Sequence, residues 1–91
     1  MSKTPNKESL ITYPCQFPIK VMGLAVEGFV PAMSDIAQSF DPAFDPDTME
    51  QRPSSGGKYM GLTLTIRVES REQLDNVYRT LTGHPMVKVV L

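Results

Sequence analysis

The fold is decided by residues 58–83, KYMGLTLTIRVESREQLDNVYRTLTG, where the spacing of apolar residues changes from every second to every third or fourth position. Apolar and other residues alternate from Tyr59 to Val68, which predicts a strand with one face toward a core. Ser70 and Gln73 then match the S-x-x-Q capping box of a helix N-terminus, and Gly83 is expected to end the helix in a left-handed cap. The helix between them has one apolar face, formed by Leu74, Val77, Tyr78 and Leu81.

A similar strand and helix precede this segment. Phe17, Ile19 and Val21 alternate with polar or exposed positions up to Gly23, whereas the proline-containing stretch before them is expected to be an extended lead-in. A helix is predicted from about Glu27 or Gly28 to residue 40, with Pro31 tolerated in its first turn because the missing N–H has no partner there. Its apolar stripe consists of Phe29, Val30, Met33, Ile36, Ala37 and Phe40.

The remaining segments complete the order of elements. The connector DPAFDPDTME (residues 41–50) is rich in turn signals, and a short edge strand over 48–52 is expected because Pro53 follows it. Residues 54–57, SSGG, predict a hairpin turn. In the last strand, residues 87–91, alternation places Lys88 and Val90 on the face away from the helices.

These elements predict one α+β domain over residues 10–91, preceded by a flexible tail over residues 1–9. The order strand, helix, strand, strand, helix, strand is that of the ferredoxin-like βαββαβ sandwich, with a four-stranded antiparallel sheet and two helices on one face. The other sheet face stays open, and we expect it or a sheet edge to mediate self-association. Its predicted interaction residues are Lys20, Met22, Thr63, Thr65, Arg67, Lys88 and Val90.

Composition excludes several classes of function. With 91 residues there is room for one core, and nine basic against ten acidic residues give a formal charge of -1, which disfavours a general nucleic-acid or membrane-surface binder. Cys15 is the single cysteine, so no internal disulfide is expected and a cytoplasmic location is predicted. The absence of a run of about 20 apolar residues predicts no membrane partner.

Two chemical motifs are incomplete. The stretch SSGGK lacks the first glycine of a phosphate loop, since Arg52 occupies that position, and a strand rather than a helix follows Lys58. RNA recognition on this fold needs stacked aromatic residues, and Tyr59 is the one aromatic residue on its strand. The basic residues of the open face are therefore expected to solvate the sheet or to pair across subunits.

Candidate catalytic and metal-binding groups are sparse. Cys15 and His84 are a nucleophile and a base in type, but no feature of the sequence brings them together. The acidic residues of the connector, Asp41, Asp45, Asp47 and Glu50, lack the order of a calcium loop. We therefore predict a protein that is not an enzyme and has no cofactor and no metal, with a small hydrolase or a nucleic-acid binder as lower-ranked alternatives.

Four sequence blocks resemble the YbeD-like family of small uncharacterised bacterial proteins. They are YPCQFPIKVMG, RPSSGGKY with the following alternating strand, SREQLDNVYRTL and HPMVKVVL, and together they span about residues 10–91. The resemblance implies a ferredoxin-like fold similar to ACT regulatory domains, with no established catalytic activity. It also implies a link to lipoate metabolism, by association only. The connector 41–50 departs most from the family pattern.

ACT domains often pair and bind small effectors where the first strand meets the first helix, so the resemblance implies a ligand-binding turn here. On this chain that turn contains Met22, Gly23, Glu27 and Gly28. The predicted function is a small non-catalytic regulatory or ligand-binding module. The alternative is a protein–protein interaction adaptor that has no small-molecule ligand, and roles for the connector 41–50 and the Gly56–Gly57 turn stay open.

Overall fold

The computed structural model describes residues 12–91, in which four strands and two helices follow one another in the predicted order. The strands form one antiparallel sheet, in which the second strand lies beside the third, the third beside the first and the first beside the fourth, with both helices on one face. This confirms the ferredoxin-like, ACT-like fold, and the predicted tail over residues 1–9 lies outside the described part. The elements are β1 (Cys15–Leu24), α1 (Phe29–Phe40), β2 (Glu50–Pro53), β3 (Tyr59–Val68), α2 (Arg71–Thr82) and β4 (Val87–Val90).

The two central strands, β1 and β3, pair along their whole length from Cys15↔Val68 to Leu24↔Tyr59. β1 therefore begins at Cys15, inside the stretch that the sequence predicts to be an extended lead-in, and that prediction is wrong from Cys15 onward. The backbone N–H of Lys20 points toward the β4 side, where it donates to the carbonyl of Leu91. The nitrogen of Pro18, two residues earlier, points to the same side. The pairs between β1 and β4 do not extend as far as Pro18, so its missing N–H removes no sheet hydrogen bond.

The core lies between the helices and the inner face of the sheet. Ile19, Leu64 and Ile66 are completely buried there, and the α2 residues Val77 and Leu81 are buried to the same degree. α1 contributes Phe29, Met33 and Ala37, as its apolar spacing predicts. Each helix has twelve residues, about three turns, and no helix within residues 12–91 is long and apolar enough to cross a bilayer.

The start of α2 is fixed by Gln73 in three ways. Its backbone N–H donates to Ser70 Oγ at 3.1 Å, as the capping box predicts. Its side-chain Oε1 accepts from the N–H of Glu69 at 2.6 Å, and its Nε2 donates to the carbonyl of Phe40 at 2.9 Å. The same side chain thus caps α2 and ties it to the last residue of α1.

The helix end differs from the sequence prediction. Gly83 has φ -83° and ψ -5°, a right-handed conformation, and its N–H donates to the carbonyl of Arg79 at 3.1 Å. The next residue closes the helix with a tighter bond, because the N–H of His84 donates to the carbonyl of Leu81, three positions earlier, at 3.1 Å. Pro85 follows in the loop before β4, where the chain leaves the helix direction.

The outer strands also correct two predictions. β2 begins at Glu50 because residues 46–48 form a 3-10 turn, in which the side chain of Asp45 accepts from the N–H of Asp47 at 3.0 Å. In β4, an irregularity opposite Met22 and Gly23 leaves Lys88 without a partner on β1. The alternation changes phase at that point, as expected for a bulge.

The phase change reverses the faces of the last residues of the sheet. Val90 lies opposite Val21 and packs against the core, so its assignment to the open face is wrong. Val89, opposite Met22, and Leu91, bonded to Lys20, lie on the open face instead.

Candidate functional site

The open face contains two adjacent rows of residues that cross all four strands. In one row, Glu50, Thr63, Lys20 and Leu91 follow one another from β2 to β4; in the next row, the order is Arg52, Gly61, Met22 and Val89. Together with Tyr59, the first residue of β3, these rows line a cavity of about 490 Å³, which we call the open-face recess.

Gly61 creates the depth of the open-face recess. A Cβ atom at this position would have as its nearest neighbours the carbonyl oxygen and Cβ of Arg52, at 3.6 and 3.9 Å, which are ordinary contact distances. No crowding within the described chain therefore requires a glycine here. A glycine inside a strand weakens it and often marks a place where a ligand or another backbone approaches closely.

One wall of the recess is apolar and unusually exposed. Met22 is 45% exposed, Val89 46% and Leu91 74%, and these are three of the four exposed large hydrophobic residues found within residues 12–91. Sheet pairing places Met22 beside Val89, and Leu91 borders Lys20 in the adjacent row. The three side chains thus form one continuous apolar surface rather than scattered exposed positions.

The other wall is charged. Lys20 on β1, Arg52 on β2 and Glu50 on β2 are all exposed, and within residues 12–91 none of the three takes part in an ion pair or a side-chain hydrogen bond. Outside the recess, Arg67 pairs with Glu69, and Arg71 lies 3.7 Å from Asp75. The charged side chains that line the recess are two cations and one anion.

The predicted interaction residues divide into three groups. Lys20, Met22 and Thr63 line the open-face recess. Thr65 and Arg67 are farther along the open face of β3, where they border a second cleft of about 340 Å³ against the connector. Lys88 is exposed at the bulge and Val90 packs against the core, so neither belongs to the recess.

The predicted ligand-binding turn is occupied in part by the protein itself. A Cβ at Gly23 would lie 2.4 Å from both the Phe29 ring and the carbonyl oxygen of Met86. The close approach that this glycine allows is therefore made by the core. Glu27 and Gly28 are exposed, and a Cβ at Gly28 would be 3.3 Å from the Met86 methyl group. Met22 is the one residue of the turn that lines the recess.

The other reactive residues do not form a site together. Cys15 begins β1, and His84 precedes β4 at the opposite end of the sheet, where the N–H of Leu24 donates to the carbonyl of Met86. The nine residue steps along the strand from Cys15 to Leu24 correspond to about 30 Å. His84 Nδ1 accepts from the N–H of Met86 at 3.1 Å, and no metal-binding group of three ligands occurs within the described residues.

Sequence reasoning missed Arg52, Gly61, Val89 and Leu91 as parts of one surface. Gly61 carried a usable signal, because it interrupts the side-chain row of the most regular strand in the chain. Arg52, Val89 and Leu91 carried no such signal, because their position beside Gly61 depends on the strand order and on the β4 bulge.

Comparison with known proteins gives matches over the whole length of the chain. The family model described as "Protein of unknown function (DUF493)" matches residues 8–91. A UPF0250 protein of Leptothrix cholodnii is 59% identical over 91 residues and one of Bordetella parapertussis is 57% identical over 91 residues, each covering 100% of both chains. These matches confirm the YbeD-like resemblance.

A solved structure supports the same fold. The solution structure of protein HP0495 from H. pylori has a TM-score of 0.76 with 15% sequence identity, and the match covers 100% of this chain and 98% of that chain. At that identity the likeness concerns the fold alone.

Proposed function

The chain belongs to the family of proteins of unknown function DUF493, and from that premise we propose that it is a small, cytoplasmic, non-catalytic regulatory module that binds a ligand in the open-face recess. The observation that carries this proposal is the hollow at Gly61, which lies at the centre of the sheet and which no packing contact within residues 12–91 requires. The single cysteine supports the cytoplasmic location.

The dimensions and lining of the recess support a small-molecule ligand. Its volume of about 490 Å³ falls in the range of roughly 300–1,000 Å³ that is typical of small-molecule sites. Such sites combine an apolar lining with a few polar groups that orient the ligand. Here Met22, Val89 and Leu91 supply the apolar part, and Lys20 and Arg52 supply the polar groups.

A binding role agrees better with the arrangement than a catalytic one. The nucleophile and the base considered from the sequence, Cys15 and His84, lie at opposite ends of the sheet and outside the recess. The side chains that do line the recess are suited to holding a molecule in place.

The same surface also supports self-association as a second candidate function, because Leu91 is 74% exposed at the border of the recess. Two copies that met through this surface would bury Met22, Val89 and Leu91 of each copy. Light scattering on a sizing column tests this function: a mass that rises with concentration supports it, and a constant monomer mass at micromolar concentration contradicts it.

The ligand-binding function is tested by thermal unfolding in the presence of a panel of metabolites. A ligand of the native state raises the melting temperature, and we expect the increase to disappear in Gly61→Val, whose side chain fills the hollow. Gly56→Ala is the control, since a Cβ there meets no atom within 4 Å and lies away from the recess. A panel without any shift, or a shift that persists in Gly61→Val, contradicts the proposal.

A further inference from the structure

Two cations of the open-face recess are positioned to act on the same ligand group. Lys20 and Arg52 lie on β1 and β2, on either side of β3, and one row apart. Their Cα atoms are separated by two interstrand spacings across the sheet and by two residues along the strands, which together give a distance of about 12 Å. Both side chains are long and flexible, and the residues between them, Gly61 and Thr63, are small. The two cations can therefore converge above the centre of the sheet.

Within residues 12–91, neither cation takes part in an ion pair. Glu50 shares a row with Lys20 and a strand with Arg52, yet it makes no ion pair with either of them. An anionic group placed over Thr63 and Gly61 would gain charge-assisted hydrogen bonds from both cations, which are stronger than bonds between neutral groups.

The apolar wall determines the rest of the ligand. Met22, Val89 and Leu91 lie toward β4, on the opposite side of the recess from Arg52. An apolar body extending from the anionic group toward β4 would cover these three side chains. We infer that the open-face recess selects an anion with an apolar body, and this inference rests on the proposed function.

The sheet edges favour the recess over strand addition as the binding mode. β2 has four residues and ends at Pro53, which has no N–H to offer a further strand. β4 also has four residues and has Lys88 at its bulge. Short length, proline, bulges and an edge lysine all reduce pairing with an added strand.

Two fluorescent dyes with nearly the same apolar body test the selection for charge. 8-Anilinonaphthalene-1-sulfonate is an anion, and N-phenyl-1-naphthylamine is uncharged. We expect Lys20→Gln and Arg52→Gln each to weaken binding of the anionic dye about two- to fivefold, the effect of losing one exposed charge contact. Affinity for the neutral dye should be unchanged. Glu50→Gln should strengthen binding of the anionic dye.

Arg79→Gln on α2 is the control for total charge, because Arg79 is exposed outside the recess and bonded to Asn76 at 2.7 Å. Melting temperatures near that of the parent protein establish that each variant is folded. If Lys20→Gln and Arg52→Gln change the affinities for both dyes equally, or change neither, selection for an anion is overturned. If Gly61→Val leaves both affinities unchanged, the recess is not the binding site and the proposed function itself is overturned.

Discussion

Asp41 Oδ2 accepts a hydrogen bond of 3.0 Å from the backbone N–H of Arg67, which lies 26 positions later in the chain. The pairs between β2 and β3 stop at Glu50↔Thr63, so strand β2 does not reach this part of β3. Asp41 is 7% exposed, and its other carboxylate oxygen accepts from the N–H of Ala43 at 3.1 Å. One side chain from the connector thus takes the place of a neighbouring strand.

We expect Asp41→Ala to lower the free energy of unfolding by about 1–3 kcal/mol, because it leaves a sheet N–H and a loop N–H without their acceptor. Asp35→Ala, an exposed change on α1, should alter it by no more than about 0.5 kcal/mol. Urea unfolding measures both. Equal effects of the two substitutions would contradict the structural role of Asp41.

Gly23→Ala is expected to be the most damaging small substitution in the chain. The new Cβ would lie 2.4 Å from the Phe29 ring and from the carbonyl oxygen of Met86, so a side chain and the turn before β4 must both move. Overpacking of this kind costs about 1–3 kcal/mol or more. Thermal unfolding should show a large decrease in melting temperature for Gly23→Ala and little change for Gly56→Ala. A near-normal melting temperature would show that this junction is loosely packed.

Gln73→Glu should destabilise the protein, although glutamate is common at this position of a capping box. The carboxylate can still accept from the N–H of Glu69, but it cannot donate to the carbonyl of Phe40 as the amide does. We expect a loss of about 1–2 kcal/mol in chemical unfolding, since a donor is replaced by a charged acceptor. Gln73→Glu unfolding like the parent protein would contradict a role for this bond in joining the helices.

Gly61→Ala should stabilise the protein by about 0.5–1 kcal/mol, because glycine in a strand has excess conformational freedom when unfolded and the new Cβ makes ordinary contacts. Urea unfolding measures the gain, and the metabolite panel measures the loss of binding in the same variant. A destabilised Gly61→Ala would show that the glycine is needed for packing, which would remove the main support for the recess.

Tyr78 gives a pH-dependent prediction. Burial raises the pKa of its hydroxyl above the ordinary value of 10.0. The unfolded chain therefore loses this proton at lower pH than the folded chain. The contribution to stability is fully present below pH 10.0 and is lost as pH rises through the raised pKa. Between about pH 9 and pH 11, the free energy of unfolding measured in urea should decline less for Tyr78→Phe than for the parent protein. Identical declines of the two proteins would contradict the prediction.

The order and type of the elements could be predicted because their signals are local. Alternation in β3, the Ser70 and Gln73 cap and the stripe of α2 each lie within one short segment. The hydrogen bond from the Gln73 side chain to α1 was not predictable, because its acceptor, the carbonyl of Phe40, lies 33 positions earlier in the chain. The same limit applies to Asp41, whose partner, the N–H of Arg67, lies 26 positions later.

The sequence by itself determined the βαββαβ order, the buried face of each helix and the family, because periodicity, caps and sequence blocks are written along the chain. The tertiary structure decided which residues share the open face. The β4 bulge turns Val90 inward and Val89 outward, and strand order places Arg52, Gly61, Met22 and Val89 in one row. A bulge shifts the alternation by one residue, and a row across a sheet joins segments distant in the chain, so only the folded protein assembles the recess.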